Sequence, residues 1–296
     1  MVKKILLMIK AVFFTAAVLL LAVSCDREDM YNFAKYGNSP LRLVYTKTAD
    51  TGNTEIFIID IDGRREQQLT RMSGIYSSSP SCSADGDHII FVRVITNSTI
   101  WIMDSDGDNQ RQISSGIEND YAPSWSPDGK KIVFIRNGTE TYTMNADGSG
   151  ITQISAAGGF DCSWSPDGTK LIYSNPVGDI YSMNPDGTGV LQITSTTWDG
   201  NPTWSPDGTK IAFVDTHDPM QVWIMNSDGT GRVQVTYTAS PDGNTQPAWS
   251  PDGKYIAFWE EASPYSRIYV INSDGSGLRL LLQNGETEPC FLGMPR

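Results

Sequence analysis

The acidic side chains are the first candidates for chemistry, because they recur. Aspartates stand at 85, 128, 167, 207 and 252. Four of them sit in Ser-Pro-Asp-Gly directly after Trp125, Trp164, Trp204 and Trp249, and the fifth lies in the related stretch Cys82-Ser83-Ala84-Asp85-Gly86. A second series of Asp-Gly pairs begins at 62, 106, 147, 186, 228 and 274. Such carboxylates could serve as general acids or bases, or could ligate a hard cation. Repetition argues for a different role, since a group found at the same place in every unit serves the unit. Pro presets φ for a tight turn, Asp bonds its own backbone two residues on, and Gly takes the left-handed position. The stretch Asp104-Ser105-Asp106-Gly107-Asp108 has some look of a calcium loop, but it lacks a Glu at the twelfth position.

Other catalytic equipment is scarce. The chain holds no G-x-S-x-G nucleophile elbow, H-E-x-x-H pair, C-x-x-C or phosphate-binding Gly loop. Its two histidines are His88, at the start of an apolar run, and His217, in a loop of variable length. A Ser/His triad or a His-rich metal site is therefore not expected. Cys82, Cys162 and Cys290 fall on the innermost strands of three different units, where small buried apolar residues are wanted. Cys82 and Cys290 belong to adjacent units, which leaves their pairing open in an exported protein.

The two Asp-Gly series share a period of 39–46 residues and stay in phase, so one supersecondary unit is repeated. Each unit opens with a short segment ending in Trp, turns through Ser-Pro-Asp-Gly, and enters an apolar run such as His88-Ile-Ile-Phe-Val or Lys210-Ile-Ala-Phe-Val. A variable loop leads to an alternating segment such as Gln221-Val-Trp-Ile-Met-Asn, and the second Asp-Gly turn leads to a last short segment. That makes four antiparallel strands. An apolar run without alternation needs cover on both faces, and the neighbouring units supply it. The fold expected is an all-β six-bladed β-propeller of four-stranded antiparallel blades. The first unit starts at Leu41 with its second strand. Glu288-Pro289-Cys290-Phe291 at the other end supplies the missing one, with Phe291 at the Trp position. The ring over residues 41–296 is thus closed by the C-terminal strand joining the N-terminal blade.

Both Asp-Gly turn series lie at one end of the strands, and the variable connections share the opposite face. Diversity gathered on one face of a rigid repeat is where binding usually sits. The residues just before each innermost strand should ring the mouth of the central channel. They are Tyr76, Asp120, Tyr121, Phe160, Asp161, Trp198, Asp199, Asn201, Gln246, Glu286 and Glu288. Aromatics beside carboxylates suit a cationic peptide, a sugar ring or a metal ion. No cofactor is expected beyond a divalent cation that the channel could accept.

The pattern W-S-P-D-G-x-x-I-x-F, then I-Y-x-M-N-x-D-G, then L-T, resembles the TolB-type propeller repeat over residues 41–291. The resemblance implies a six-bladed propeller that binds partners at a bacterial envelope. The N-terminal α/β domain of that family has no counterpart expected in residues 1–40. The repeat is also similar to that of oligogalacturonate lyases, which use several His ligands for which this chain has no matching set.

Residues 1–24 carry Lys3, Lys4 and Lys10, then the uncharged run Ala11–Val23, then Ser24-Cys25, the order of a secretory signal. Leu21-Ala22-Val23-Ser24-Cys25 resembles the bacterial lipobox, which implies cleavage before Cys25, lipidation of that residue and a tether over 25–40. The whole chain of 296 residues carries 22 basic and 34 acidic side chains, a net charge of −12. Without the signal, 19 basic against 34 acidic side chains leave −15. Such a domain is repelled by nucleic acid and by anionic headgroups, so contact with a membrane would come through the lipid anchor alone. The reading is an exported lipoprotein, lipid-anchored in the bacterial cell envelope. It would act as a non-catalytic propeller scaffold for an envelope protein, peptide or glycan. The alternative is an enzyme acting on a carbohydrate or lactone through carboxylates and a bound cation at the channel mouth.

Overall fold

A computed structural model describes residues 41–293 apart from 51, 73, 156–158, 218, 238–242, 261–265 and 284–286, and gives only the backbone of 287 and 288. The residues read from the sequence as signal, lipidated Cys25 and tether lie outside the described residues, as does Glu286. Blade 1 is built from β1 (Arg42–Thr48), β2 (Thr54–Asp60) and β3 (Gln67–Gln68). Blade 2 holds β4 (Tyr76–Cys82), β5 (His88–Val94), β6 (Ser98–Asp104) and β7 (Arg111–Gln112). Blade 3 holds β8 (Asp120–Trp125), β9 (Lys131–Arg136), β10 (Glu140–Asn145) and β11 (Thr152–Ser155). Blade 4 holds β12 (Phe160–Trp164), β13 (Leu171–Ser174), β14 (Ile180–Met183) and β15 (Leu191–Gln192). Blade 5 holds β16 (Asp199–Trp204), β17 (Lys210–Asp215), β18 (Gln221–Asn226) and β19 (Val233–Gln234). Blade 6 holds β20 (Asn244–Trp249), β21 (Tyr255–Glu260), β22 (Arg267–Asn272) and β23 (Arg279–Gln283). The last strand, β24 (Thr287–Phe291), joins β1 in the order β24-β1-β2-β3. Six four-stranded antiparallel blades therefore form, and the tail of the chain completes the first, pairing Phe291 with Leu43 and Cys290 with Val44.

The apolar runs are second strands, and each is covered on both sides. Ile132, Val133, Phe134 and Ile135 are all buried, as are Ile211, Ala212, Phe213 and Val214. Alternate residues of one run join different inter-blade clusters: Ile132 and Phe134, with Trp125 of their own blade, meet Ile90 and Ile100 of blade 2, while Val133 and Ile135 meet Leu171 and Tyr173 of blade 4. The recurring aromatics stand between blades. Trp204 joins Ile172 and Ile180 of blade 4 to Ile211, Phe213 and Met225 of its own blade. Trp249 does the same between blades 5 and 6, and Phe291 between blades 6 and 1.

The Ser-Pro-Asp-Gly turns carry one hydrogen-bond set. The Ser126, Ser165 and Ser205 hydroxyls donate to Asp128, Asp167 and Asp207 at 2.6–2.7 Å. Each of these carboxylates also accepts the amide of Lys130, Thr169 or Thr209. The serine oxygen accepts the amide that opens the next strand, at Lys131, Lys170 and Lys210. In the second turn series a left-handed Gly is needed for a further reason. Gly187 has φ +84, and a Cβ there would stand 2.0 Å from the Ile154 carbonyl oxygen of the blade before, as Gly148 would 2.2 Å from that of Ile113. The turn face is thus packed blade against blade and serves as scaffold.

These bonds have a pH consequence. The serine hydroxyls first, and then the backbone amides, hold Asp128, Asp167 and Asp207 below the usual 3.8. A carboxylate whose folded pKa is depressed adds stability above its unfolded pKa and loses it as pH falls through the folded one. Melting temperature should therefore be insensitive to these groups from about pH 5 to 7 and should fall progressively below about pH 4. Asp207→Asn should flatten that acid limb. An acid limb that is unchanged in the triple variant of Asp128, Asp167 and Asp207 to Asn would contradict the assignment.

Candidate functional site at the channel and its rim

At the centre of the ring the innermost strands of blades 2 to 6 share a distortion. The pairing between first and second strands skips at Ser78/Ser81, Tyr121/Ser124, Phe160/Ser163, Gly200/Thr203 and Thr245/Ala248. The residues that fall in the skip are Ser79, Ala122, Asp161, Asn201 and Gln246, all left-handed with φ between +46 and +53. Four of them precede a proline, Pro80, Pro123, Pro202 or Pro247, and Cys162 follows Asp161. Proline has no N–H to lose from the ladder, so a bulge costs least there. A left-handed L-residue costs on the order of 1–2 kcal/mol. Strain of this kind, repeated around one axis, gathers where a site must be shaped.

The bulged residues line a cavity of about 170 Å³ on the axis, together with Ser124, Ser163, Thr203 and Pro289. Inside it the Asn201 amide donates to the Asp161 carboxylate at 2.8 Å. Of the residues read from the sequence as a ring, Asp161, Asn201 and Gln246 do line this cavity. Tyr76, Tyr121, Phe160 and Trp198 stand around it on the rim, each 39–51% exposed.

Asp120 and Asp199 are placed elsewhere. Both are fully buried. Arg136 forks onto Asp120 with bonds of 2.8 and 3.1 Å, and Arg232 onto Asp199 with two of 2.8 Å. Asn244 holds the equivalent place in blade 6, bonded to Gln221 and Thr236. These groups lock the first strand of a blade to its neighbours rather than presenting charge to the channel mouth. Of Glu288 only the backbone is described, in β24 beside the cavity-lining Pro289.

Two parts of the ring escaped sequence reading. Ser79 and Ala122 occupy the same bulge as Asp161 but carry no charge or ring to draw attention. Counting three residues back from each blade's Trp, or from Cys82 in blade 2, reaches all five. The second omission is His217. Its Nδ1 lies 2.6 Å from Asp215 Oδ1, and its ring meets the Trp198 ring at 4.6 Å between centroids. Pro219, Trp223, Gln234 and Tyr237 complete a cleft of about 390 Å³ beside this pair. Among the described residues no group of three or more His, Cys, Asp or Glu side chains is disposed to hold a metal ion.

The pairing register places the variable connections on one face. Asp120, at the start of β8, pairs with Arg136 at the end of β9, which pairs with Glu140 at the start of β10. Connections of both kinds also touch: Asn97 donates to Gly116 and Ile117, and Asn53 to Met72. Fourteen large apolar side chains are exposed among the described residues. Nine of them, Met72, Tyr76, Ile95, Ile117, Tyr121, Phe160, Val177, Trp198 and Tyr237, belong to this face. The other five, Val190, Leu191, Val233, Leu278 and Leu280, lie at the outer strands β15, β19 and β23. Two of these five, Val190 and Leu278, lie in the second Asp-Gly connections, at the turn face.

Comparison with known proteins fits this geometry. Residues 92–236 match the family model described as the TolB beta propeller domain. Among solved structures, TolB from Acinetobacter baumannii is 24% identical with a TM-score of 0.75, over 90% of this chain and 70% of that one. A protein assigned as TolB from Agrobacterium tumefaciens is 21% identical with a TM-score of 0.67, over 82% of this chain and 88% of its own. An oligogalacturonate lyase solved with manganese is more distant, at 19% identity and a TM-score of 0.54, over 81% of this chain and 72% of its own. No curated protein matches the sequence. At these identities the structural likenesses establish the fold.

Proposed function

We propose that this six-bladed β-propeller, similar over residues 92–236 to the TolB beta propeller domain, is a binding module of the bacterial envelope that engages a protein or peptide partner over its variable-connection face. The observation that carries this reading is the sorting of exposed apolar surface. Among the described residues, nine of the fourteen exposed large apolar side chains gather on the face that differs from blade to blade, against two, Val190 and Leu278, in the connections of the face that repeats. Exposed apolar side chains that cluster on a rigid scaffold mark interaction surfaces, and aromatics supply most of their energy. The small cavity at the centre, where the Asp161 carboxylate stands beside Asn201, gives such a surface a place to accept a protruding donor group. The likeness to TolB proteins supports an envelope setting, as does the signal-like leader. A lipid on Cys25 with residues 26–40 as tether would hold the ring near, but not against, a membrane.

The test uses membranes from cells making the full chain. The wild type should sediment with membranes, and Cys25→Ser should not. After chemical crosslinking, mass spectrometry should identify one envelope protein bound to residues of the variable face. Replacing Tyr76, Trp198 and Tyr237 together by Ser should lower the yield of that complex at least about tenfold, which corresponds to about 1.4 kcal/mol. Replacing the outer-edge pair Val190 and Val233 by Ser should leave it unchanged. Equal loss from both sets would contradict the assignment of the face.

A further inference from the structure

We propose that Cys82 and Cys290 form a disulfide that clasps the closing strand to blade 2, so that the ring is shut covalently under oxidising conditions. At the position that stands between blades, five of the six innermost strands carry an aromatic: Trp125, Trp164, Trp204, Trp249 and Phe291. Blade 2 has Cys82 there instead. This is also the one wedge boundary next to which a second cysteine stands. The Cys82 thiol points at the closing strand, with its Sγ 3.9 Å from the Cys290 carbonyl oxygen. Both are free thiols in this structure.

The boundary has reason to need a clasp. Every other innermost strand runs through a covalent turn into its own second strand, as β8 does into β9. The closing strand β24 has no such turn. It is held to β1 by register pairs at Leu43, Val44 and Thr46, with a slip between the last two. Its tail is pressed onto blade 2, where a Cβ on Gly293 would stand 2.4 Å from the Ala84 carbonyl oxygen and 2.5 Å from that of Ser83. That contact fixes the backbone around Cys290 against the turn that follows Cys82. Burial, and then the nearness of Cys290, raise the Cys82 thiol well above its usual 9.0, so the clasp closes faster as pH rises.

The chemistry balances through exchange. One of the two cysteines, as thiolate, attacks the S–S bond of an oxidant disulfide and releases one thiol of it. The second cysteine then attacks the mixed disulfide, the Cys82–Cys290 bond forms, and the second oxidant thiol leaves. The pair loses two protons and two electrons, and the oxidant gains them. Any disulfide oxidant more oxidising than this pair serves, such as oxidised glutathione or a periplasmic-type dithiol oxidase.

The full chain is incubated with oxidised glutathione, its free thiols are blocked, and peptides are mapped without reduction. The expected product is an intramolecular Cys82–Cys290 linked peptide in monomeric protein, with Cys162 still free. Melting temperature should then fall by roughly 5–10 °C when a reductant is added, and the difference should vanish in Cys290→Ser. Mixed disulfides with glutathione on either residue in place of the link would overturn the proposal. So would a linked protein whose melting is unmoved by reductant. The comparison of oxidised and reduced wild type stands alone if the Cys290→Ser chain fails to fold.

Discussion

Trp204→Ala should lower the stability of the ring by ~3–5 kcal/mol, the usual cost of truncating a packed aromatic. In a domain of this length that corresponds to a fall in melting temperature of roughly 6–20 °C. The effect is large because the indole is shared. Its ring is packed against Ile172 and Ile180 of blade 4 and Ile211, Phe213 and Met225 of blade 5, so truncation loosens two wedges at one contact. The site cannot collapse to fill the gap, since each wedge is also fixed by the next. A cleft of about 820 Å³ already opens beside Trp204 on the turn face, and truncation would extend it inward.

The indole N–H supplies a control. Trp204 Nε1 is buried and finds no hydrogen-bond partner among the described residues. Trp204→Phe should therefore cost little, within about 1 kcal/mol, because it keeps most of the packing and removes an unsatisfied donor. Thermal melts of the two variants check this. A shift under about 2 °C for the alanine would show that the aromatics do not bind wedge to wedge.

Much of this was legible in the sequence. Two Asp-Gly series in phase gave the number of blades and the face on which the turns lie. Phe291 could be assigned to the Trp position before any coordinates, because the N-terminal unit lacked a first strand, and it does join blades 6 and 1. The channel ring was less legible for a definite reason. The ring was read as the residues just before each innermost strand, and that position does not say which side chains turn to the axis, because a bulge adds one residue to the strand and reverses the side its residues face. Asp120 and Asp199 lie on the near side of the bulge and are carried into the blade, whereas Asp161 lies in it and is carried to the axis. Nor could spacing reveal their partners. Arg232 reaches Asp199 from beside β19, across 33 residues of chain. Ser79 and Ala122 were missed because their place in the ring comes from backbone geometry, and their side chains announce nothing.

Closure of the ring underlies every other statement, since the variable connections form one surface only if six wedges meet. The most direct measurement is removal of residues 288–296 from the full chain. This strips Phe291 from its cluster with Leu43, Tyr45, Phe57 and Ala257, and leaves the edge of β1 unpaired. Loss of a buried aromatic alone costs ~3–5 kcal/mol, and the strand's ladder bonds add to it, which consumes much of a typical domain's 5–15 kcal/mol. The exposed apolar edge also invites association with another chain. The shortened chain should melt more than about 10 °C below the parent, or without a cooperative transition, and should elute as larger species. A shortened chain that melts within about 2 °C of the parent and elutes as the same monomer would contradict the closed ring.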